Sequence, residues 1–584
     1  MNVSLSQGTF SDILIGKQGD LMLKKIFSVL LIFSFIHFSD ACTTILVTKG
    51  ASADGSMMVS HTDDNEFADQ RIVYVPAGSY GKNYSRPVFG SNCNYPRIVN
   101  KSRAPAYNTP GHKGTIPVGY IEQVPRTYAY FDANYGIMNE HQLMSGECTC
   151  NAKVMAIPEY GKRIMFSPEL SRIALERCKK AKDAVILVGE LIDKYGYFGT
   201  GETLIFADAY EGWVMELCCS PDLEGGLWVA KKVPDGEVFV AANEFRIREI
   251  ETDSPDMLYS KKIFKMAEEY GWWAPSEGKL DWLKTVSLGE FHHPYYSLRR
   301  VWRIFSIINP ALNLNPWVAD SFTEEYPFSI MPARKLAVKD MMALHRDHFE
   351  GTEFDMAKGI AAGPFSSPSR YIGKYDSIGG LLKMPETKQP GAWERPVCVP
   401  YTGYSYICQA RGWLPDPIGG VMWAGFDVPH ATCYMPFYAG VSDLPKSFQY
   451  GSVDKIDRSF AWRVFNFTAN WAELKYSYMI KDIQAKQNEI ETSEISTLQV
   501  IDTEALMLYQ QKPENLKKYL TNYCSENAEK VIREWWGLAD SLIVNYSSGY
   551  LNAKRPGERA GYPQEWLEKT EYRKGPAVYG KPAN

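Results

Sequence analysis

The junction between residues 22–41 and Cys42 constrains this chain more than any other feature. Residues 22–41 read MLKKIFSVLLIFSFIHFSDA: two lysines, an apolar run from Ile26 to Phe38, then Ser39 and Ala41 around Asp40. A basic start, a short apolar stretch and small residues at its end make a secretory signal. The run is shorter than the roughly 20 residues a bilayer span needs, and no later stretch is long and apolar enough, so no integral membrane segment is expected after signal removal. The expected location is secreted or periplasmic. Met22 stands directly before the lysines, so residues 1–21 read as an over-long gene start. Cleavage after Ala41 makes Cys42 the first residue of the mature protein. A free α-amine, with a pKa of about 7.7–8.0, can take the thiol proton and later give it to a leaving amine. The rival readings of Cys42 are an ordinary strand residue and the lipid-bearing cysteine of a non-catalytic, peptide-binding surface lipoprotein. Lipoprotein signals usually place an aliphatic residue three positions before the cysteine, where Ser39 stands here.

The segment after Cys42 reads as a hairpin. Residues 43–48 (TTILVT) are β-branched, Asp54-Gly55 is a turn signal, and residues 56–61 (SMMVSH) return as a second strand. An antiparallel return carries His61, Asp63, Asp64 and Glu66 back beside the thiol. A carboxylate there can hold an ammonium, and a cation can favour thiolate.

Lys plus Arg number 63 against 68 for Asp plus Glu, a net charge of −5 without long runs of either sign. That removes the electrostatic case for nucleic acid and leaves a small-molecule partner. The eleven cysteines include no CxxC pair, and most read as small buried hydrophobes. His345 and His348 lie at helical spacing, but no HExxH pattern or convergent acid accompanies them, so neither metal nor cofactor is expected. Residues 167–195 read as amphipathic helix. Two alternating stretches, 202–218 and 227–245, each read as a strand pair around an acidic-Gly turn, and helix dominates beyond about residue 455. Sheet, helix and more sheet make a layered α+β pattern.

Several stretches together resemble the C69 dipeptidases, a branch of the N-terminal-nucleophile hydrolases: CTTILVTKGASADGSMMVSHTDDNE from Cys42, GIMNEHQLMSGE from Gly136, FADAYEGWVMEL from Phe206, VPDGEVFVAANEFRI from Val233, RDHFEGTEFDMAKGIAAGPF from Arg346 and WLPDPIGGVMWAGFD from Trp413. The resemblance implies a four-layer αββα sandwich with Cys42 opening a central strand. It divides the chain into an upstream segment and signal (1–41), a peptidase domain (42–475) and a helical C-terminal extension (476–584). It implies cleavage of dipeptides through a Cys42 thioester, and relatives that often oligomerise make a homo-oligomer one expected partner. Related penicillin V acylases and bile salt hydrolases carry an Arg-x-x-Asp pattern that falls on His61 and Asp64, so His61 departs from it. Asn243 matches the oxyanion-holding amide, and Arg300 matches the active-site arginine, with Arg299 and Arg303 as competitors. Glu147 and Asp63 become candidates for the substrate ammonium. An acylase-like amidase is the enzymatic alternative, and the acidic cluster argues against its uncharged, bulky acyl groups.

Overall fold

The structure, a computed structural model, describes residues 42–65, 67–90, 93–291, 296–318, 320–371, 395–552 and 558–572. The signal segment, Met22 and Glu66 lie outside the described residues. β1 (Thr43–Val47) and β2 (Met57–Asp63) form the expected antiparallel hairpin, with Thr43 opposite Thr62 and Val47 opposite Met58. Both strands are buried along their whole length, so neither shows the strict apolar and polar alternation of a half-buried strand.

The hairpin sits in the middle of a seven-stranded sheet. β1 pairs on its other edge with Val238–Ala241, and β2 pairs with Tyr404–Ala410, followed by Gly420–Phe426 and Met435–Tyr438. An eight-stranded sheet packs face to face against it and includes Met144–Cys150, Gly201–Ala207, Gly212–Cys219 and Gly226–Lys232. Helices Ser167–Arg177 and Ala181–Tyr195 cover the outer face of the eight-stranded sheet. The outer face of the seven-stranded sheet is covered by Val338–His345, Ala461–Ala472 and the long helices Tyr476–Gln511 and Pro513–Tyr546. The result is the four-layer αββα sandwich. Leu498, Leu520, Trp535 and other residues of the long helices belong to the same apolar core as β1 and β2.

One local expectation fails. The stretch 227–245 is not a hairpin: Gly226–Lys232 lies in the eight-stranded sheet, whereas Val238–Ala241 crosses to the other sheet and pairs with β1. The Pro234-Asp235-Gly236 segment does not fold back because the β1 turn captures it. Asp235 Oδ1 accepts from Gly50 N at 2.8 Å, and Gly236 N donates to Thr48 Oγ1 at 2.9 Å. A turn signal identifies a change of direction but not the sheet that receives the next strand. All eleven cysteines are buried and free, as small core residues should be.

Candidate active site

Strand register assembles the site. Thr43 faces Thr62 and Thr44 faces Ala241, so one further step along the first antiparallel ladder and two along the second put Cys42 between Asp63 and Asn243. Tyr404 extends the row as the partner of Asp63. Cys42, at 1% exposure, ends the strand in the interior of the sandwich.

The thiol meets a group from the opposite sheet. Cys42 Sγ donates to Glu147 Oε1 at 3.0 Å, and the same oxygen lies 3.4 Å from His61 Nε2. The two sheets come close enough for this because residue 146 is glycine. A Cβ there would fall 2.6 Å from Thr44 Cγ2. Burial pushes the Glu147 carboxyl well above its usual range, and the neighbouring Glu202 carboxyl pushes it further. Burial also raises the Cys42 thiol, with Glu147, Asp63 and Asp64 adding to the shift. In the full chain the nitrogen of Cys42 is a peptide amide and offers no base to offset this.

Two arginines supply the opposing charge. Arg300, from helix Leu298–Ile308, donates through Nη1 to Cys42 O at 2.8 Å and Thr43 Oγ1 at 2.9 Å. Its Nη2 donates to Ala242 O at 2.9 Å and Asn243 Oδ1 at 2.8 Å. Its competitors face elsewhere: Arg299 stacks on Phe354 and Trp317, and Arg303 pairs with Asp347. Burial, with Arg395 nearby, depresses Arg300 to about 10. Arg395 pairs with Asp64. Burial works against its charge, but Tyr296, Tyr401 and Asp64 outweigh that and keep it ionised. Asp64 also accepts from Thr402 Oγ1 at 2.8 Å, and burial lifts its carboxyl despite Arg395 and Thr402.

His61 does not replace the missing arginine of the Arg-x-x-Asp pattern. Burial pushes it down to about 3, so the ring is neutral at ordinary pH. Its Nδ1 lies 3.1 Å from Thr44 Oγ1 and 3.2 Å from Glu147 O. The cation beside Asp64 comes instead from Arg395, 331 residues further along the chain. No motif around Arg395 marks it. The available signal is the departure at His61, which requires a cation from somewhere else. Tyr296, Thr402 and Asn134, whose amide donates to Asp63, are likewise outside any recognisable pattern.

Asn243 adopts a left-handed backbone, φ 67°, a conformation that asparagine tolerates better than most side chains. Its Nδ2 donates to Thr149 O at 2.8 Å. A carboxamide nitrogen carries two hydrogens, so a second donor remains beside the Cys42 end of β1.

The buried Cys42 thiol at the head of a central strand of the αββα sandwich is thus flanked by an amide, carboxyls and arginines. The chain belongs to peptidase family C69, whose family model matches residues 41–489. A probable dipeptidase of Latilactobacillus sakei is 25% identical over 414 residues, covering 70% of this chain and 76% of that protein. A probable dipeptidase of Salmonella dublin is 25% identical over 411 residues, covering 69% and 81%. A penicillin V acylase structure from Agrobacterium tumefaciens superposes with a TM-score of 0.27 at 9% identity, covering 68% of this chain and 86% of that one, too loosely to bear on substrate.

Proposed function

We propose that this protein is an exported cysteine dipeptidase that acts through a thioester on Cys42. Removal of residues 1–41 turns the Cys42 nitrogen into an α-amine, which takes the thiol proton. Sulfur attacks the peptide carbonyl, the C–N bond breaks, and the amine passes the proton to the leaving amino group. Water then hydrolyses the thioester and restores the thiol. Asp64, with Arg395, orients the α-amine and balances its charge. The free N–H of Asn243 and main-chain N–H groups stabilise the oxyanion, and Arg300 fixes the carbonyl of Cys42. His61 packs Glu147 as a neutral ring. Asp63 and Glu147 are the carboxyls that meet the ammonium of a short substrate, whose charge would draw Glu147 back towards its ionised form.

The observation that carries this reading is the row Asn243, Cys42, Asp63 with Arg300 clasping the Cys42 carbonyl. The start of the family match at residue 41 supports Cys42 as the first functional position. The test compares a free dipeptide, its N-acetyl form, penicillin V and a glycine-conjugated bile acid on one preparation, with intact mass establishing the N-terminus. Free dipeptide should exceed the N-acetyl form by about tenfold to a thousandfold in kcat/KM. Equal cleavage of the acylated compounds would assign an amidase instead. A start other than Cys42, or a lipid on it, would reject the mechanism.

A further inference from the structure

Outside the Cys42 site, a second cluster of ligating side chains is buried where three remote segments meet. His348 follows helix Val338–His345, His430 belongs to the short turn Pro429–Ala431, and Cys398 lies between Arg395 and Thr402. All three are 3% exposed or less. His348 Nε2 lies 3.1 Å from His430 Nδ1, and Cys398 Sγ lies 3.5 Å from His430 Nδ1. One ligand atom from each residue falls within 4.8 Å of the others.

We propose that Cys398, His348 and His430 bind a zinc-class divalent ion that pins the segment carrying Arg395 and Thr402 against the sandwich. Zinc takes nitrogen at about 2.0–2.1 Å and thiolate at about 2.3 Å, and tetrahedral angles then separate N from N by roughly 3.3 Å and N from S by roughly 3.6 Å. Both spacings to His430 Nδ1 match those of a ligand set, and Cys398 Sγ and the His348 nitrogen lie within 4.8 Å of each other. A soft thiolate with two imidazoles selects zinc over calcium or magnesium, which prefer oxygen. The surrounding groups fit as well. His348 Nδ1 lies 2.9 Å from Glu350 Oε1, the carboxylate contact that fixes the tautomer of a ligating histidine. Arg346, which packs beside His430, is paired with Glu491. A Cys398 thiolate, the half-exposed Glu350 and the buried Glu491 would therefore balance the divalent ion and Arg346. A solvent molecule would take the fourth position of the tetrahedron.

Sequence spacing points to His345 with His348, but His345 takes no part: it is fully buried, and both its ring nitrogens lack a hydrogen-bond partner. The consequence for the enzyme is positional. Cys398 lies between Arg395 and Thr402, the two residues that hold Asp64, so the ion would fix their segment without touching substrate.

The test uses the full chain, purified without chelator and analysed for metal by mass spectrometry, then stripped and reloaded with zinc or cobalt(II). One zinc per chain is expected, with a melting temperature several degrees higher in micromolar zinc than after stripping. The cobalt form should show a thiolate-to-metal charge-transfer band and tetrahedral d–d bands. Cys42→Ser should keep the metal and the band. Cys398→Ser should lose the band, and His430→Asn should weaken zinc binding at least about tenfold. If Cys398→Ser fails to fold, His430→Asn against Cys42→Ser makes the same comparison. A reloaded chain that retains no metal after desalting overturns the proposal. So does metal that survives in Cys398→Ser or His430→Asn but is lost in Cys42→Ser, which would put the ion on Cys42, His61 and Glu147.

Discussion

Two buried charge clusters lie within a few residues of each other and are built on opposite rules. In the first, Glu169 accepts from Arg86 and Arg103 and pairs with Arg172, Arg86 also pairs with Glu176, and Arg172 pairs with Asp132. Burial favours the neutral acids, but the arginines outweigh it and drive Glu169 and Glu176 below the usual carboxylate range. In the second, Glu147, Asp63 and Asp64 lie around Cys42 with Glu202 beside Glu147, and the arginines reach Asp64, Thr43, Asn243 and the backbone rather than Glu147. There burial pushes Glu147 and Asp64 up. The clusters touch through one residue: Arg172 donates to Asn134 O at 2.8 Å, and the Asn134 amide donates to Asp63. Saturated charge makes a rigid support. Unsaturated charge makes a place where a proton or an incoming ammonium changes the balance.

The sharpest break in that contrast is at the thiol. Cys42→Ala should lower kcat by about 10⁴-fold or more, with an unfolding midpoint close to that of the unaltered protein; measurable turnover in a contaminant-free preparation would refute the assignment. Next comes Glu169→Gln, which leaves three arginines short of a buried counter-charge and should cost about 3–5 kcal/mol by urea unfolding. By contrast, Glu147→Gln replaces a carboxyl whose neutral form burial favours, so it should cost about 1 kcal/mol or less while reducing kcat/KM for free dipeptides. A similar stability loss for both variants would erase the distinction between the clusters.

Stability should also respond to pH in opposite directions. The folded carboxyl of Glu169 is depressed, so its contribution is present above about pH 4.5 and is lost as pH falls below that value. Glu216, behind the Asn243 turn, accepts from Arg246 N at 2.6 Å, and burial raises it to about 8. Its contribution is full below about pH 4.5 and is lost as pH rises through 8. Glu169→Gln should therefore flatten the acid limb of the stability profile, and Glu216→Gln the neutral limb. The smallest effect belongs to His61→Gln. A ring neutral above about pH 3 contributes no inflection between pH 5 and 9, so the kcat/KM profile should keep its shape.

The hairpin was legible because β1 and β2 are joined by a local turn, and antiparallel register then placed Asp63 beside Cys42 without further information. Asn243 and Arg300 were reachable through motif resemblance, and both lie in the site. Arg395 was not, because a cation that completes an ion pair from 331 residues away leaves no periodicity or spacing to read. The crossing at residues 233–237 escapes for a related reason. Alternation shows that a strand exists, whereas its partner depends on which sheet has an open edge.

The anchoring of Cys42 also bears on the order of maturation. Its carbonyl is held by Arg300, its thiol by Glu147 and the next amide by Thr62 Oγ1, and each of these contacts comes from downstream of the cysteine. Severing the chain before Cys42 takes none of them away. On the proposed reading, folding can finish before residues 1–41 are removed, so release of the Cys42 amine would be the last event and would supply the base that the unprocessed chain lacks.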